Sequence, residues 1–147
     1  MNMELDAISW KILTLLQQDG RASNASVARA VSMSVPAVTE RIKRLEEQGV
    51  IAGYRAIIDE SKLGRALTVF IQLSTPASRY KAFLAEAQQL DAIRECHHVT
   101  GEGSFIIRVL LSNVQELEPL IENLSQFGET KTSIVMSSPL VKTKVSA

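Results

Sequence analysis

The segment "SVPAVTERIKRLEEQGV" limits what this chain can fold into more than any other stretch. Its apolar side chains repeat at intervals of three, four and three residues, at Val35, Val38, Ile42 and Leu45. This spacing predicts a short helix with one buried stripe. Ser34 is placed to cap its start, Pro36 fits its first turn, where N–H groups have no helical partner, and Gly49 is placed to end it. A helix with one apolar face needs other elements to cover that face.

Two shorter helical segments come before it and can supply that cover. Asp6 is placed to cap a helix whose apolar positions run to Leu16, and Ser23 is placed to cap a second helix over residues 24–31. The tight turn "SMS" then leads into the third helix. Three helices in this arrangement predict a helix-turn-helix. The strand-forming residues of "VIAGYRAIID", divided by Gly53, predict two short strands that would form a wing.

The second half of the chain alternates between strand and helix patterns. In order, the segments are "RALTVFIQL", "SRYKAFLAEAQQL", "IRECHHVT", "FIIRVLL", "VQELEPLIENLSQF" and "TKTSIVMSS". Pro119 predicts a kink or a late start for the second of these helices. The order βαββαβ is that of a ferredoxin-like domain. The predicted fold class is therefore α+β, with a winged helix-turn-helix over residues 1–60 followed by a ferredoxin-like domain over residues 61–147.

The predicted sheet has more apolar surface than two helices can cover. Alternation along the first and third strands places Phe70, Ile106 and Leu110 on the face away from the helices. A second copy of the chain is the simplest cover for such a face, so these three residues are the predicted dimer interface.

Composition excludes several classes of protein. The 147 residues carry no net charge, and no apolar run is long enough to cross a membrane. The first residues lack the pattern of a signal peptide, and the single cysteine, Cys96, cannot form an internal disulfide. We therefore expect a cytoplasmic protein with no membrane partner.

Charge is uneven around the third helix. Residues 21–44 carry five basic side chains against Glu40 as the single acidic one. In a helix-turn-helix the third helix enters the major groove, so double-stranded DNA is the predicted partner. The predicted DNA-binding residues are Arg21, Ser32, Ser34, Pro36, Ala37, Thr39, Glu40, Arg41, Lys43 and Arg44. The alternatives are a solvated helix face and a winged-helix module that contacts other proteins.

These motifs together resemble a known family. The "LD…IL" start, the "DGR.S" turn, the segment "S…V..R…LE..GVI.GY" and the "LG" link are similar to the Lrp/AsnC, or feast/famine, transcriptional regulators. The resemblance implies a DNA-binding regulator that forms a dimer or an octamer and responds to a small molecule such as an amino acid. Two positions depart from the family pattern: Ser9 and Ser104 stand where family members usually carry acidic residues.

The resemblance also implies where a small molecule would bind. In the family, the hairpin that corresponds to "TGEGSF" borders the effector site, so Gly101, Gly103, Ser104 and Thr132 would line it here. The alternative is that "GEGS" is simply a turn with glycines suited to positive φ. Because Ser104 offers a neutral hydroxyl in place of a carboxylate, we expect a poor response to leucine-like amino acids.

No other cluster of residues predicts chemistry. A metal site is one interpretation of Cys96, His97 and His98. However, adjacent strand residues face opposite ways, and no third ligand is evident. No nucleophile–base pair and no phosphate-binding loop are present, so the sequence predicts no enzyme, metal or cofactor. Besides a regulator, the sequence allows a nucleoid-architectural protein, a protein-interaction module, or a metabolite binder or enzyme built on the ferredoxin-like half.

Overall fold

The computed structural model describes residues 4–101 and 104–146. Its elements in chain order are α1 (Ala7–Gln18), α2 (Asn24–Val31), α3 (Val35–Glu47), β1 (Leu67–Ser74), α4 (Tyr80–Gln89), β2 (Ile93–His98), β3 (Phe105–Leu111), α5 (Leu117–Ser125) and β4 (Glu129–Ile134). They form two compact units. The first unit comprises Met1–Ile57 and Leu140–Ala147, and the second comprises Ile58–Pro139.

The three helices of the first unit begin where the sequence predicts. The side chains of Asp6, Ser23 and Ser34 each accept a hydrogen bond from the backbone N–H three residues later, at N–O distances of 2.8, 3.1 and 3.4 Å. Each cap satisfies a backbone donor that the helix itself leaves unpaired. The helices enclose a small core of Ile12, Val27, Ala28, Val38, Ile42 and Leu45.

One predicted core residue of α3 lies outside this core. Val35 is 43% exposed, so the buried stripe begins at Val38 rather than at Val35. The reason is geometric: helical side chains lean toward the N-terminal end, and the side chain of the first helical residue therefore extends past the end of the helix.

The predicted wing strands are wrong. Residues 52–59 form neither helix nor strand, and the side chain of Ile57 is 91% exposed. A two-stranded hairpin is marginal by itself and needs a tight turn between its strands. Gly53, which has φ of +156°, interrupts the run after only three residues, and the strand-forming residues that follow it face no strand among residues 4–101 and 104–146.

The second unit has the predicted βαββαβ order. Its antiparallel sheet has the strand order β2-β3-β1-β4, and β1 pairs with both β3 and β4. Helices α4 and α5 cover one face through a core that includes Val69, Phe83 and Leu124. The predicted late start of the last helix is confirmed: a 3₁₀ turn occupies Val114–Glu116, and α5 then begins at Leu117, two residues before Pro119.

The division between the units differs from the predicted domains of residues 1–60 and 61–147. It falls between Ile57 and Ile58, and the C-terminal residues from Leu140 belong with the first unit rather than with the ferredoxin-like domain. The side chain of Gln17 forms two hydrogen bonds with the backbone of Val145, one as donor and one as acceptor. Among the described residues, no helix has the length and apolar character needed to span a bilayer.

Candidate nucleic-acid interface

Helix α3 presents a polar face that the core does not use. Pro36, Glu40 and Arg44 are exposed on it, and Ala37 is half-buried beside them. The Arg44 Nε atom donates to the Glu40 carboxylate at 3.1 Å, with both side chains more than half exposed. An exposed pair of this kind is worth only about 0.3–0.5 kcal/mol, so either partner can exchange it for another hydrogen bond at little cost.

Arg41 does not share this face, although the sequence placed it there. Its Nη1 atom donates to both oxygens of the Asp6 carboxylate, at 3.0 and 2.7 Å, and to the Ser9 hydroxyl at 3.2 Å. Hydrogen bonds from Ser9, followed by that from Arg41, lower the pKa of Asp6 to about 2. Arg41 therefore braces α3 against the start of α1, and the Ser9 hydroxyl takes part in that brace.

Thr39 also has a structural role. Its hydroxyl donates to the carbonyl of Val35 and accepts from the side-chain amide of Asn24, both at 2.9 Å, which ties α3 to α2. Ser34 caps α3, and Ser32 takes a left-handed conformation, with φ of 56°, in the turn between the helices. These three residues and Arg41 set the position of α3. The caps are evident from the sequence, whereas the Asn24–Thr39 and Asp6–Arg41 contacts are not.

A cavity of about 280 Å³ separates the α1–α2 turn from one side of α3. Asn24, Lys43 and Tyr54 are among the residues that line it. The Tyr54 hydroxyl donates to the Glu46 carboxylate at 2.9 Å, and partial burial together with this contact raises the pKa of Tyr54 to about 12. Lys43 pairs with Glu47 at 3.6 Å. In the free chain, all three cations of α3 therefore have a carboxylate partner.

The residues predicted to line an effector site are only partly brought together. Gly101, with φ of +105°, and Ser104 share the hairpin between β2 and β3, while Gly103 lies outside the described residues. Thr132 is exposed on β4 and pairs with Ile71, so strand β1 separates it from the hairpin. The Ser104 hydroxyl donates to the carbonyl of Thr75 at 2.9 Å and accepts from its N–H at 3.2 Å. This hydroxyl holds the end of β1.

The face of the sheet away from α4 and α5 is partly apolar and partly charged. Phe70 is 41% exposed and Ile106 is 37% exposed, whereas Leu110 is only 9% exposed and offers little surface to a partner. Next to them, Arg108 donates to Glu95 at 2.7 Å, which lowers the pKa of that carboxyl. This ion pair is not evident from the sequence because it joins two different strands.

The cysteine and histidines of β2 have ordinary structural roles. Cys96 is half-buried against the core, which raises the pKa of its thiol. The His98 ring lies 5.1 Å from that of Tyr80 and 5.0 Å from that of Phe105, between ring centroids. Across the described residues, no group of three or more metal-ligating side chains is present.

Comparison with known protein families finds two matches along the chain. Residues 5–52 match the family model for a winged helix-turn-helix DNA-binding domain, and residues 68–145 match that for the Lrp/AsnC ligand binding domain. The chain is 34% identical to the leucine-responsive regulatory protein of Haemophilus influenzae over 92% of this chain and 86% of that protein. It is 28% identical to the HTH-type transcriptional regulator LrpC of Bacillus subtilis over 92% of this chain and 94% of that protein.

Solved structures show the same architecture. Bacillus subtilis LrpC superposes with a TM-score of 0.89 at 28% identity, covering 95% of this chain and 100% of that one. Escherichia coli AsnC superposes with a TM-score of 0.88 at 26% identity, covering 97% of this chain and 99% of that one. The relatives named here are regulators, which favours regulation over the architectural, interaction-module and enzyme alternatives. The chain belongs to the Lrp/AsnC family of transcriptional regulators, which join a DNA-binding helix-turn-helix to a ligand-binding domain.

Proposed function

We propose that this regulator acts in the cytoplasm as a dimer and reads base edges in the major groove of duplex DNA with Pro36, Ala37, Glu40 and Arg44. The observation that carries the proposal is that some polar side chains of α3 hold the helix in place while others remain exposed. Thr39 and Arg41 hold the helix to its neighbours, whereas the partners of Glu40 and Arg44 among the described residues are each other, in a weak exposed pair.

The exposed side chains suit base recognition. A guanidinium such as that of Arg44 matches the two acceptors of guanine, and a carboxylate such as that of Glu40 accepts from the amino group of cytosine. Pro36 and Ala37 at the start of the helix are small, so they allow close approach and apolar contact with a thymine methyl group. Because Arg44 and Glu40 lie one turn apart, they would read neighbouring base pairs.

Arg44→Ala is expected to weaken binding to a preferred duplex by about 1–3 kcal/mol and to relax the preference at one base position, because a bidentate contact with guanine is lost. Fluorescence anisotropy with a panel of single-base variants of that duplex measures both effects. Lys43→Ala is the matched control: a lost phosphate contact would weaken all sequences together and lower the salt slope by about one. Unchanged binding of Arg44→Ala to every duplex would exclude this residue from the interface.

The dimer proposal is supported by Phe70 and Ile106. Both are more than one-third exposed at the centre of the sheet face that α4 and α5 leave open. A two-fold partner would cover each of them with the same face of a second copy. The dimer would also present two copies of α3 to the DNA, which requires two half-sites with centres about one helical turn, or a multiple of it, apart.

We further propose that the ligand-binding domain does not hold an α-amino acid through residue 104. Both the donor and one acceptor position of the Ser104 hydroxyl are used by the backbone of Thr75. A free amino acid brings an ammonium group, and removing that charge from water without an anionic partner is costly. Ser104 therefore acts as a loop clamp, and the effector differs from a leucine-like amino acid or is held elsewhere in the domain.

Calorimetric titration with leucine is expected to show weak or no binding to the parent protein. The loss of one charge-assisted hydrogen bond costs about 1.5–3 kcal/mol, which is roughly ten- to a hundredfold in affinity. A Ser104→Asp variant is expected to gain affinity, and Ser104→Ala serves as the control that removes the clamp without adding charge. Tight, stoichiometric binding of leucine to the parent protein would refute the proposal.

A further inference from the structure

We propose that the C-terminal tail, residues 140–146, is a second DNA-contacting element that holds Lys142 and Lys144 against backbone phosphates beside the helix-turn-helix. The inference rests on the proposed binding of duplex DNA by α3. It adds a contact that makes no use of base sequence. Three observations support it: the anchoring of the tail, the distribution of unpaired charge, and the position of the anchor.

The tail is anchored to the DNA-binding unit by a specific contact. The Gln17 side-chain amide donates to the carbonyl of Val145 at 2.9 Å, and the N–H of Val145 donates back to the Gln17 carbonyl oxygen at 2.7 Å. The two hydrogen bonds fix the tail backbone in the way that a strand partner would. The residues from Leu140 onward accordingly group with the helices of the first unit.

The tail adds positive charge to a unit whose own surplus of basic residues is small. Residues 1–57 carry seven Lys and Arg side chains against six Asp and Glu, so the helical part of the unit has a net charge of only +1. The tail adds Lys142 and Lys144 and no acidic residue within 140–146, which raises the net charge of the unit to +3.

The cations of α3 are already engaged, whereas those of the tail are not. Arg41, Lys43 and Arg44 each form an ion pair with a carboxylate. Within the part of the chain that the structure describes, neither Lys142 nor Lys144 forms an ion pair, and both side chains are exposed. A cation that has no carboxylate partner can bind a phosphate, and so release a condensed counterion, without first breaking an ion pair within the protein.

The anchor lies in the last turn of α1, one turn before another basic residue. Gln17 is in the last turn of α1, and the turn that follows carries Arg21, whose side chain also has no ion pair among the described residues. That turn borders the same cavity as Lys43 of α3. Lys144, adjacent to the anchored Val145, therefore belongs to the same unit as Arg21 and Lys43.

The test is the salt dependence of DNA binding by the full chain carrying Lys142→Ala and Lys144→Ala together. Each lost phosphate contact is expected to lower the slope of log K against log salt by about 0.9, and at about 0.1 M salt this corresponds to roughly an eightfold loss of affinity per contact. The loss should be equal for a preferred and an unrelated duplex. Lys62→Ala with Lys81→Ala, two exposed lysines of the second unit, is the matched control and should leave the slope unchanged.

A second variant separates the placement of the tail from its charge. Gln17→Ala keeps both lysines but removes both hydrogen bonds to Val145, and it is expected to lower the slope in the same direction by a smaller amount. A parental slope in the double lysine variant would overturn the inference, as would an equal fall in the control. If the parent bound no duplex at all, the proposed function itself would fail, which is a different outcome from a parent that binds with an unchanged slope in the variant.

Discussion

Gly128→Ala is expected to destabilise the ligand-binding domain by about 3 kcal/mol, at the upper end of the usual cost of overpacking. A Cβ atom at this position would lie 1.9 Å from the carbonyl oxygen of Ser74 and 2.8 Å from its carbonyl carbon. Both are backbone atoms at the end of β1, so no side chain can rotate to relieve the contact. The strand or the loop before β4 has to move instead.

The consequence extends beyond one contact because three loops meet at this point. The Thr75 hydroxyl donates to the carbonyl of Phe127, next to Gly128, at 2.6 Å, and the Thr75 backbone is clamped by Ser104. Thr75 is 6% exposed, so moving Gly128 leaves buried polar groups without partners. The hairpin that holds Ser104 would shift with it.

Thermal unfolding followed by circular dichroism measures the effect. A cost of about 3 kcal/mol corresponds to a fall in Tm of roughly 6–12 °C for a protein of this size. Gly20→Ala is the matched control, because a Cβ there would meet its nearest atoms at an ordinary 3.8 and 3.9 Å. Equal Tm values for the two variants would contradict the prediction, because they would show that a side chain at position 128 is tolerated next to Ser74.

Phe70→Asp is expected to weaken dimerisation by more than a hundredfold. An uncompensated charge buried in an interface costs about 3–5 kcal/mol, and a two-fold dimer would contain two such charges. The neighbouring Arg108 is already bound to Glu95, so it is not a free partner for the new carboxylate. Ile106→Asp is a second variant: the residues paired with Ile106 are Gln72 and His97, so neither lysine nor arginine lies directly opposite it.

Light scattering over a dilution series measures the mass of each variant. Leu84→Asp is the matched control, because Leu84 on α4 has the same 41% exposure as Phe70 but lies on a helix rather than on the open face of the sheet. We expect this control to keep the parental mass. If Phe70→Asp and Ile106→Asp keep it as well, the sheet face is not the dimer interface.

Most of the fold was predictable from the sequence because its signals are local. The caps at Asp6, Ser23 and Ser34 act within one turn of the helices that they start, and alternation along β3 depends only on neighbouring residues. The order of strands and helices then left few topologies to consider. The outward positions of Glu40 and Arg44 followed from the same helical spacing.

The predictions failed or stayed incomplete where a contact joins distant segments. The wing strands were predicted from residue type alone, but a strand needs a partner, and residues 52–59 pair with no strand in the part of the chain that the structure describes. Arg41 was assigned to the DNA face by its spacing, yet the start of α1, 35 residues away, takes its guanidinium. Nothing in a local pattern indicates that Arg41 is bound by a carboxylate of another helix, whereas Arg44 pairs with Glu40 on its own helix.

The sequence by itself therefore determined the helix-turn-helix, the βαββαβ order and the family, because caps, periodicity and motifs are properties of adjacent residues. Only the tertiary structure decided what individual polar side chains do. Arg41 and Thr39 hold α3 to α1 and α2, and the Ser104 hydroxyl holds the end of β1. Val145 is hydrogen-bonded to Gln17, 128 residues away in the sequence. The physical reason is that a hydrogen bond or ion pair depends on distances of about 3 Å, and such distances between remote segments exist only once the core has formed.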